Sequence, residues 1–368
     1  FPKANHANIP ALHVPLFYIE DSIKKQFWVA AHESDGLYKF DFKIGFIDEF
    51  RPPWYTDRQR FLPRAFIGHP DSCFWIFTLK EALKFTPKSN KWERLIIDQR
   101  FEEYKHTFRD ILIKKNGDLL LITWSDGIII KTKNGEIFNL KQEKDSANSL
   151  ISNYSLYNPF EDIYGQLWIG SDYGISVISS DYLKVKSYSY LFGKNQKLFR
   201  DNFEITDDLK GNLIIGTGNG GLFVINPLNK KIIFEVQSKK GLWTENTYDF
   251  TRKNEHLFIY GQNGLQVVNL ITLKSNLFSP GSSLPIEANE WSNFYISSNS
   301  SLLFGVNNAI YTFDINDFIK QSELPAIEYF EILNNQSKRL LLSEKDLKCE
   351  FDYKTSSIKV SAFTSNLD

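Results

Sequence analysis

The chain has 368 residues, with 43 basic and 44 acidic side chains and a net charge of −1. That length buries a large core, and the even mixture of charges argues against a nucleic-acid surface or a polybasic membrane anchor. Aromatic residues make up 15 % of it, 31 of them Phe and 17 Tyr, a composition suited to pleated, half-buried strands.

In chain order, the same short pattern returns. Phe27-Trp28-Val29-Ala30 is followed by Gly36-Leu37, and Phe74-Trp75-Ile76-Phe77 by Ala82-Leu83. Leu120-Leu121-Ile122-Thr123 precedes Gly127-Ile128, and Leu167-Trp168-Ile169-Gly170 precedes Gly174-Ile175. Leu213-Ile214-Ile215-Gly216, Leu257-Phe258-Ile259-Tyr260 and Leu302-Leu303-Phe304-Gly305 continue it, each followed by Gly or Ala and an aliphatic residue. Each copy reads as two strands around a tight turn. Anchored on Trp28, Trp75, Leu121, Trp168, Ile214, Phe258 and Leu303, successive copies lie 47, 46, 47, 46, 44 and 45 residues apart.

Each period holds about four strand-length runs, in the fourth copy Ser155–Glu161, Gln166–Ile169, Ile175–Ser179 and Val185–Tyr190. Four strands per unit of this length is the period of a β-propeller blade. The expected fold is therefore all-β, a seven-bladed β-propeller over residues 1–324. Turn sequences such as Asp162-Ile163-Tyr164-Gly165 and Asp208-Leu209-Lys210-Gly211, with Asp early and Gly late, agree. The seventh blade lacks an outer strand after Asp314, so chain near Phe1–Ala11, or a segment upstream of it, is expected to complete it. From Pro325 the period breaks, and Ile327–Leu333, Arg339–Leu342 and Ser357–Ala362 read as the first strands of a β-sandwich over 325–368.

The unit Asp162-x-x-Gly165-x-Leu167-Trp168-Ile169-Gly170-Ser171-x-x-Gly174-Ile175 resembles the two-component regulator propeller repeat. Asp208 to Leu222 is similar, with one extra turn residue. Asn289-Glu290-Trp291-Ser292-Asn293 followed by Leu302–Gly305 resembles the closing blade, and the tail resembles the start of the Y-Y-Y sandwich that follows such propellers. Ala82 and Ala309 depart from the turn glycine. The resemblance implies the periplasmic sensor region of an inner-membrane histidine kinase in two-component signal transduction, sensing an oligosaccharide and itself without catalytic activity or cofactor. Its implied partners are a small-molecule or oligosaccharide ligand and a neighbouring propeller or sandwich domain, with a homodimer also compatible. A propeller enzyme such as a saccharide lyase and a protein-interaction scaffold are the alternatives.

Site chemistry follows position. Loops just before each innermost strand converge at one mouth of a propeller channel. They contribute His13, Arg64, Arg109-Asp110, Asn153-Tyr154, Arg200-Asp201-Asn202, Glu245-Asn246 and Glu290-Trp291-Ser292-Asn293, with Trp243 one step further out. Guanidinium and amide groups hydrogen-bond hydroxyls and carboxylates, and indoles stack on sugar faces. Arg64, Arg109, Arg200, Asn246, Trp291 and Asn293 are the expected ligand-binding residues. The repeat tryptophans are expected in the core between blades. Gly216-Thr217-Gly218-Asn219-Gly220-Gly221 matches a dinucleotide fingerprint but opens no helix, so it reads as a hairpin turn. The six histidines and two cysteines show no metal-ligand spacing, and two distant cysteines exclude a disulfide framework. No apolar run reaches the length of a transmembrane helix and no signal peptide is visible at Phe1.

Overall fold

The computed structural model describes residues 5–8, 14–21, 23–32, 34, 36–56, 61–69, 72–78, 81–96, 108–144, 146–154, 156–188, 202–217, 221–236, 247–261, 263–272, 275–278, 294–306, 309–322, 327–333, 338–341 and 357–362. Strand-forming runs joined by tight turns pair with their sequence neighbours, and the chain forms seven four-stranded antiparallel sheets in succession. The first strand of each is innermost: Val14–Asp21, Pro63–His69, Phe108–Ile113, Leu156–Glu161, Asn202–Asp207, Thr247–Lys253 and Phe294–Ile296. These strands pack on one another in order around the ring. The fourth blade consists of Leu156–Glu161, Leu167–Ser171, Gly174–Ile178 and Val185–Tyr188, close to the runs read from sequence.

The ring closes with both ends of the propeller sequence. Asn5–Asn8 adds to Ala309–Asp314 as the outer strand of the seventh sheet, with Asn5 opposite Thr312 and Asn8 opposite Ala309. Leu303 and Ile310 of that blade bury against Phe27, Val29 and Ala31 of the first. Tyr18 stacks on Tyr295 at 6.0 Å, and the Glu20 carboxylate accepts the Ser298 backbone and hydroxyl donors, both at 2.6 Å.

Blades are held together by the second strands. Trp28 packs on Phe66, Ile76 and Leu83 of the next blade, and Trp168 on Ile205, Leu213 and Ile215. Trp75 is half-buried against the third blade. All three occupy the same register position, opposite Ile19, Phe160 and Ile67 respectively. Trp28 and Trp168 are core, as expected, whereas Trp75 holds the equivalent position only partly buried.

The third blade corrects the repeat alignment. Leu121 faces back to Ala65 and Phe77 of the second blade, whereas Leu120 faces forward to Leu167 and Ile169 of the fourth. The turn is one residue longer here: Thr123 Oγ1 reaches the Gly127 carbonyl, while Ser171 Oγ reaches that of Gly174. Aligning on the turn glycines shifts the strand by one residue, and a one-residue shift swaps its faces. Leu120 is the true equivalent of Trp168, so the spacing is 45 and then 48 residues around this blade.

The Asp-x-x-Gly turn has a physical cause. Asp162 Oδ1 accepts the backbone N–H groups of Tyr164 and Gln166, both at 2.9 Å, and Asp162 Oδ2 accepts the Trp168 indole N–H at 2.8 Å. One carboxylate thus caps the turn and satisfies the buried indole. Asp208 caps the fifth-blade turn in the same way through Lys210 and Asn212.

By contact the chain divides into two units, Phe1–Phe318 and Ile319–Asp368. A helix, Ile315–Ser322, follows the seventh blade, and its Phe318 packs on Phe278 and Phe313. In the second unit Ile327–Leu333 lies between Lys338–Leu341 and Ser357–Ala362 in one three-stranded antiparallel sheet.

Candidate functional site at the channel mouth

Each innermost strand starts at one end of the ring. The chain runs antiparallel through each blade, so the turn between second and third strands returns to that same end, the mouth. In five blades the innermost strand is bulged near its start, and the pairing skips Leu16, Arg64, Arg109, Phe203 and Tyr248. In the fourth it skips Asn158 and Pro159. Such bulges re-aim side chains out of the regular ladder.

Two residues expected from sequence, Arg64 and Arg109, hold the skipped position on adjacent blades. Their guanidinium carbons lie 5.8 and 4.4 Å from the ring centre of Trp124. Trp124 lies in the Gly127 turn of the third blade and is 40 % exposed. Arg64 Nε is buried and has no hydrogen-bond partner among the described residues. Burial first, and then the charge of Arg109, push the pKa of Arg64 down. Tyr154 and Tyr173 add exposed aromatic surface at the same end of the fourth blade.

Directly after the skipped residue, three blades place a carboxylate: Asp110, Glu204 and Asp249. Burial raises all three. Asp110 is pushed up to about 6, against hydrogen bonds from Ile111 N–H and Asn158 N–H and the charge of Arg109. Asp249 is pushed up to about 7, against those from Phe294 and Phe250 N–H. Glu204 is raised further by the charges of Asp249 and Asp110. These residues come from the third, fifth and sixth blades, and the charges of Asp249 and Asp110 both act on Glu204. Asp249 Oδ2 accepts Phe294 N–H at 3.1 Å, and Asp110 takes that of Asn158, each a clasp from one blade to the next.

Raised carboxylate pKa values mean that the folded ring keeps protons which the unfolded chain, with Asp near 3.9, has released. The folded state binds more protons between about pH 4 and 7, so stability falls as pH rises through that window. Melting is expected at a higher temperature near pH 5 than near pH 8, and Asp249→Asn should narrow the difference. An unchanged difference in the variant would remove Asp249 as its source.

Other expected residues have structural employment. Asn153 Oδ1 accepts Gln142 N–H at 2.6 Å, and its carbonyl accepts Gly127 N–H. Arg200, Asn246, Trp291 and Asn293 lie outside the described residues, as do His13, Asp201, Trp243, Glu245 and Glu290. Sequence reading missed Trp124, Glu204 and Asp249. The glycine-rich motif joins two strands that pair with Thr217 opposite Gly221, which makes it a hairpin. Among the described residues no three His, Cys, Asp or Glu side chains assemble as metal ligands. Among them, too, no helix is long and apolar enough to cross a membrane.

Fold and site together define a seven-bladed propeller with a basic and aromatic mouth. No protein-family model matches the sequence, and no curated protein does. Solved structures do. The extracellular domain of a protein described as a hybrid two-component system, BT3049 of B. thetaiotaomicron, is 17 % identical at a TM-score of 0.66, over 93 % of this chain and 46 % of that one. The corresponding domain of BT4673 from the same organism is 16 % identical at 0.62, over 90 % and 46 %. Virginiamycin B lyase from Staphylococcus aureus is 13 % identical at 0.62, over 85 % and 99 %. The chain spans less than half the length of the two-component structures. At these identities the likeness is one of fold.

Proposed function

We propose that this chain is the ligand-sensing region of a membrane-bound sensor histidine kinase, lying in the periplasm and reading an oligosaccharide at the propeller mouth. The observation that carries this reading is the mouth itself, where exposed Trp124, Tyr154 and Tyr173 accompany Arg64 and Arg109. Aromatic faces and guanidinium forks are the groups that hold sugars. The likeness to extracellular domains of two-component systems supports it. Residues 325–368 are then the start of a sandwich domain. At the opposite end of the ring, turn tips expose Ile23, Ile163, Leu209, Leu228 and Ile271, a surface suited to a neighbouring domain. Arg200, Asn246, Trp291 and Asn293 complete the mouth in this reading. Binding signals by favouring one of two arrangements of the receptor.

Thermal melting against a panel of glycans tests it. A ligand at about 100 times its dissociation constant stabilises the fold by roughly 2.7 kcal/mol, and Trp124→Ala should abolish that shift. A panel with no stabilising glycan, or a ligand that Trp124→Ala binds as wild type, would sink the mouth as the sensing site. The second reading is a lyase. Asp249, whose pKa burial pushes up to about 7, is suited to proton transfer near neutral pH, and a lyase shares the fold. Conversion of a glycan to product by this chain would select it.

A further inference from the structure

We propose that Arg64 and Arg109 form an oxyanion subsite, which takes a carboxylate, sulfate or phosphate group of a ligand beside the exposed part of Trp124. The proposal rests on the sensor reading only in that the ligand reaches the mouth from solution.

Two like charges converge on one indole, at 5.8 and 4.4 Å from its centre. Arg109 has Asp110 beside it, but among the described residues the charge that acts on Arg64 is that of Arg109. Arg64 is thus half-buried next to another cation, which is unfavourable without a counter-charge. Its Nε–H is also buried with no acceptor among the described residues. A buried donor left unpaired costs about 1–3 kcal/mol, and more when the group is charged. One ligand oxyanion relieves both deficits of Arg64, because it supplies a counter-charge and accepts the stranded N–H.

The backbone prepares the arrangement. Both arginines sit at the residue that the bulge leaves out of the ladder, on adjacent innermost strands. Both guanidinium groups are held beside the indole, and the Arg64 fork has the N–H geometry that suits a planar or tetrahedral anion. The exposed indole surface then carries the body of the ligand. An acidic sugar, with a charged group on an apolar-faced ring, has both features.

The test follows the Trp124 indole N–H resonance in the intact chain, identified by its loss in Trp124→Phe. Sodium sulfate, sodium phosphate, sodium glucuronate and glucose are titrated at ionic strength fixed with sodium chloride. A saturable shift of Trp124 is expected with at least one oxyanion and not with glucose. Arg64→Gln should weaken that binding about tenfold or more, a loss of about 1.4 kcal/mol. Arg64→Lys, which keeps the charge but loses the fork, should also weaken it, while the other seven indole signals stay in place. The relative affinities identify which group the site prefers. No saturable shift, or wild-type affinity in both Arg64 variants, overturns the subsite. A neutral oligosaccharide that binds at Trp124 while every oxyanion fails removes the subsite and leaves the sensor reading. Saturable oxyanion binding with no oligosaccharide bound leaves the subsite and removes the oligosaccharide.

Discussion

Trp168→Ala is expected to lower stability by about 4 kcal/mol, within the range for removing a buried Trp from a core. The side chain is fully buried between the fourth and fifth blades, against Ile205, Leu213 and Ile215. Its loss leaves a cavity and strips Asp162 Oδ2 of the indole donor. It also removes the ring under the Lys230 ammonium, 4.2 Å from its centre. Trp75 occupies the same register position but is only half-buried, so Trp75→Ala should cost clearly less. Denaturant unfolding of both variants provides the comparison. A Trp168→Ala loss below about 1 kcal/mol, or equal losses at the two sites, would contradict the blade packing described above.

Gly127→Ala is expected to cost about 3 kcal/mol or more, against about 1 kcal/mol for Gly135→Ala. Both glycines have positive φ, +76° and +87°, a region that costs an L residue roughly 1–2 kcal/mol. They differ in surroundings. A Cβ on Gly127 would lie 2.2 Å from the Leu140 carbonyl oxygen, whereas one on Gly135 meets nothing within 4 Å. Leu140 is backbone of the outer strand, so relief requires the third blade to shift. Trp124 lies in this turn, between Thr123 and Gly127, so Gly127→Ala should also weaken any ligand held at the mouth. Similar unfolding free energies for the two variants would show that the turn absorbs the methyl group.

What was legible in the sequence was what repeats. The blade count, the buried tryptophans and the closing strand near the N-terminus all follow from one period and one missing strand. The third blade is misaligned by a residue because its run Leu119 to Ile122 is apolar at every position and carries no alternation to fix its phase. Turn glycines then set the register, and the longer turn displaced it. The same insertion hid Trp124, which belongs to a turn rather than to the repeat. Glu204 and Asp249 look like strand residues among abundant carboxylates. Each directly follows a bulge, and a bulge is invisible in sequence. Arg64 and Arg109 are legible because their place at the start of an innermost strand is periodic even though their neighbours are not.

The seventh sheet joins Asn5–Asn8 to Ala309–Asp314, partners some 300 positions apart in the chain. Six blades can assemble from local pairings as synthesis proceeds, but this one waits for its far partner. Until the latch strand seats, Ala309–Asp314 presents an open row of backbone donors and acceptors. Such an edge accepts any strand of suitable register, including residues 5–8 of a neighbouring molecule. Loss of the Asn5–Asn8 strand would therefore do more than shorten one sheet. It would convert a closed ring into a molecule that recruits its own kind through exchanged strands.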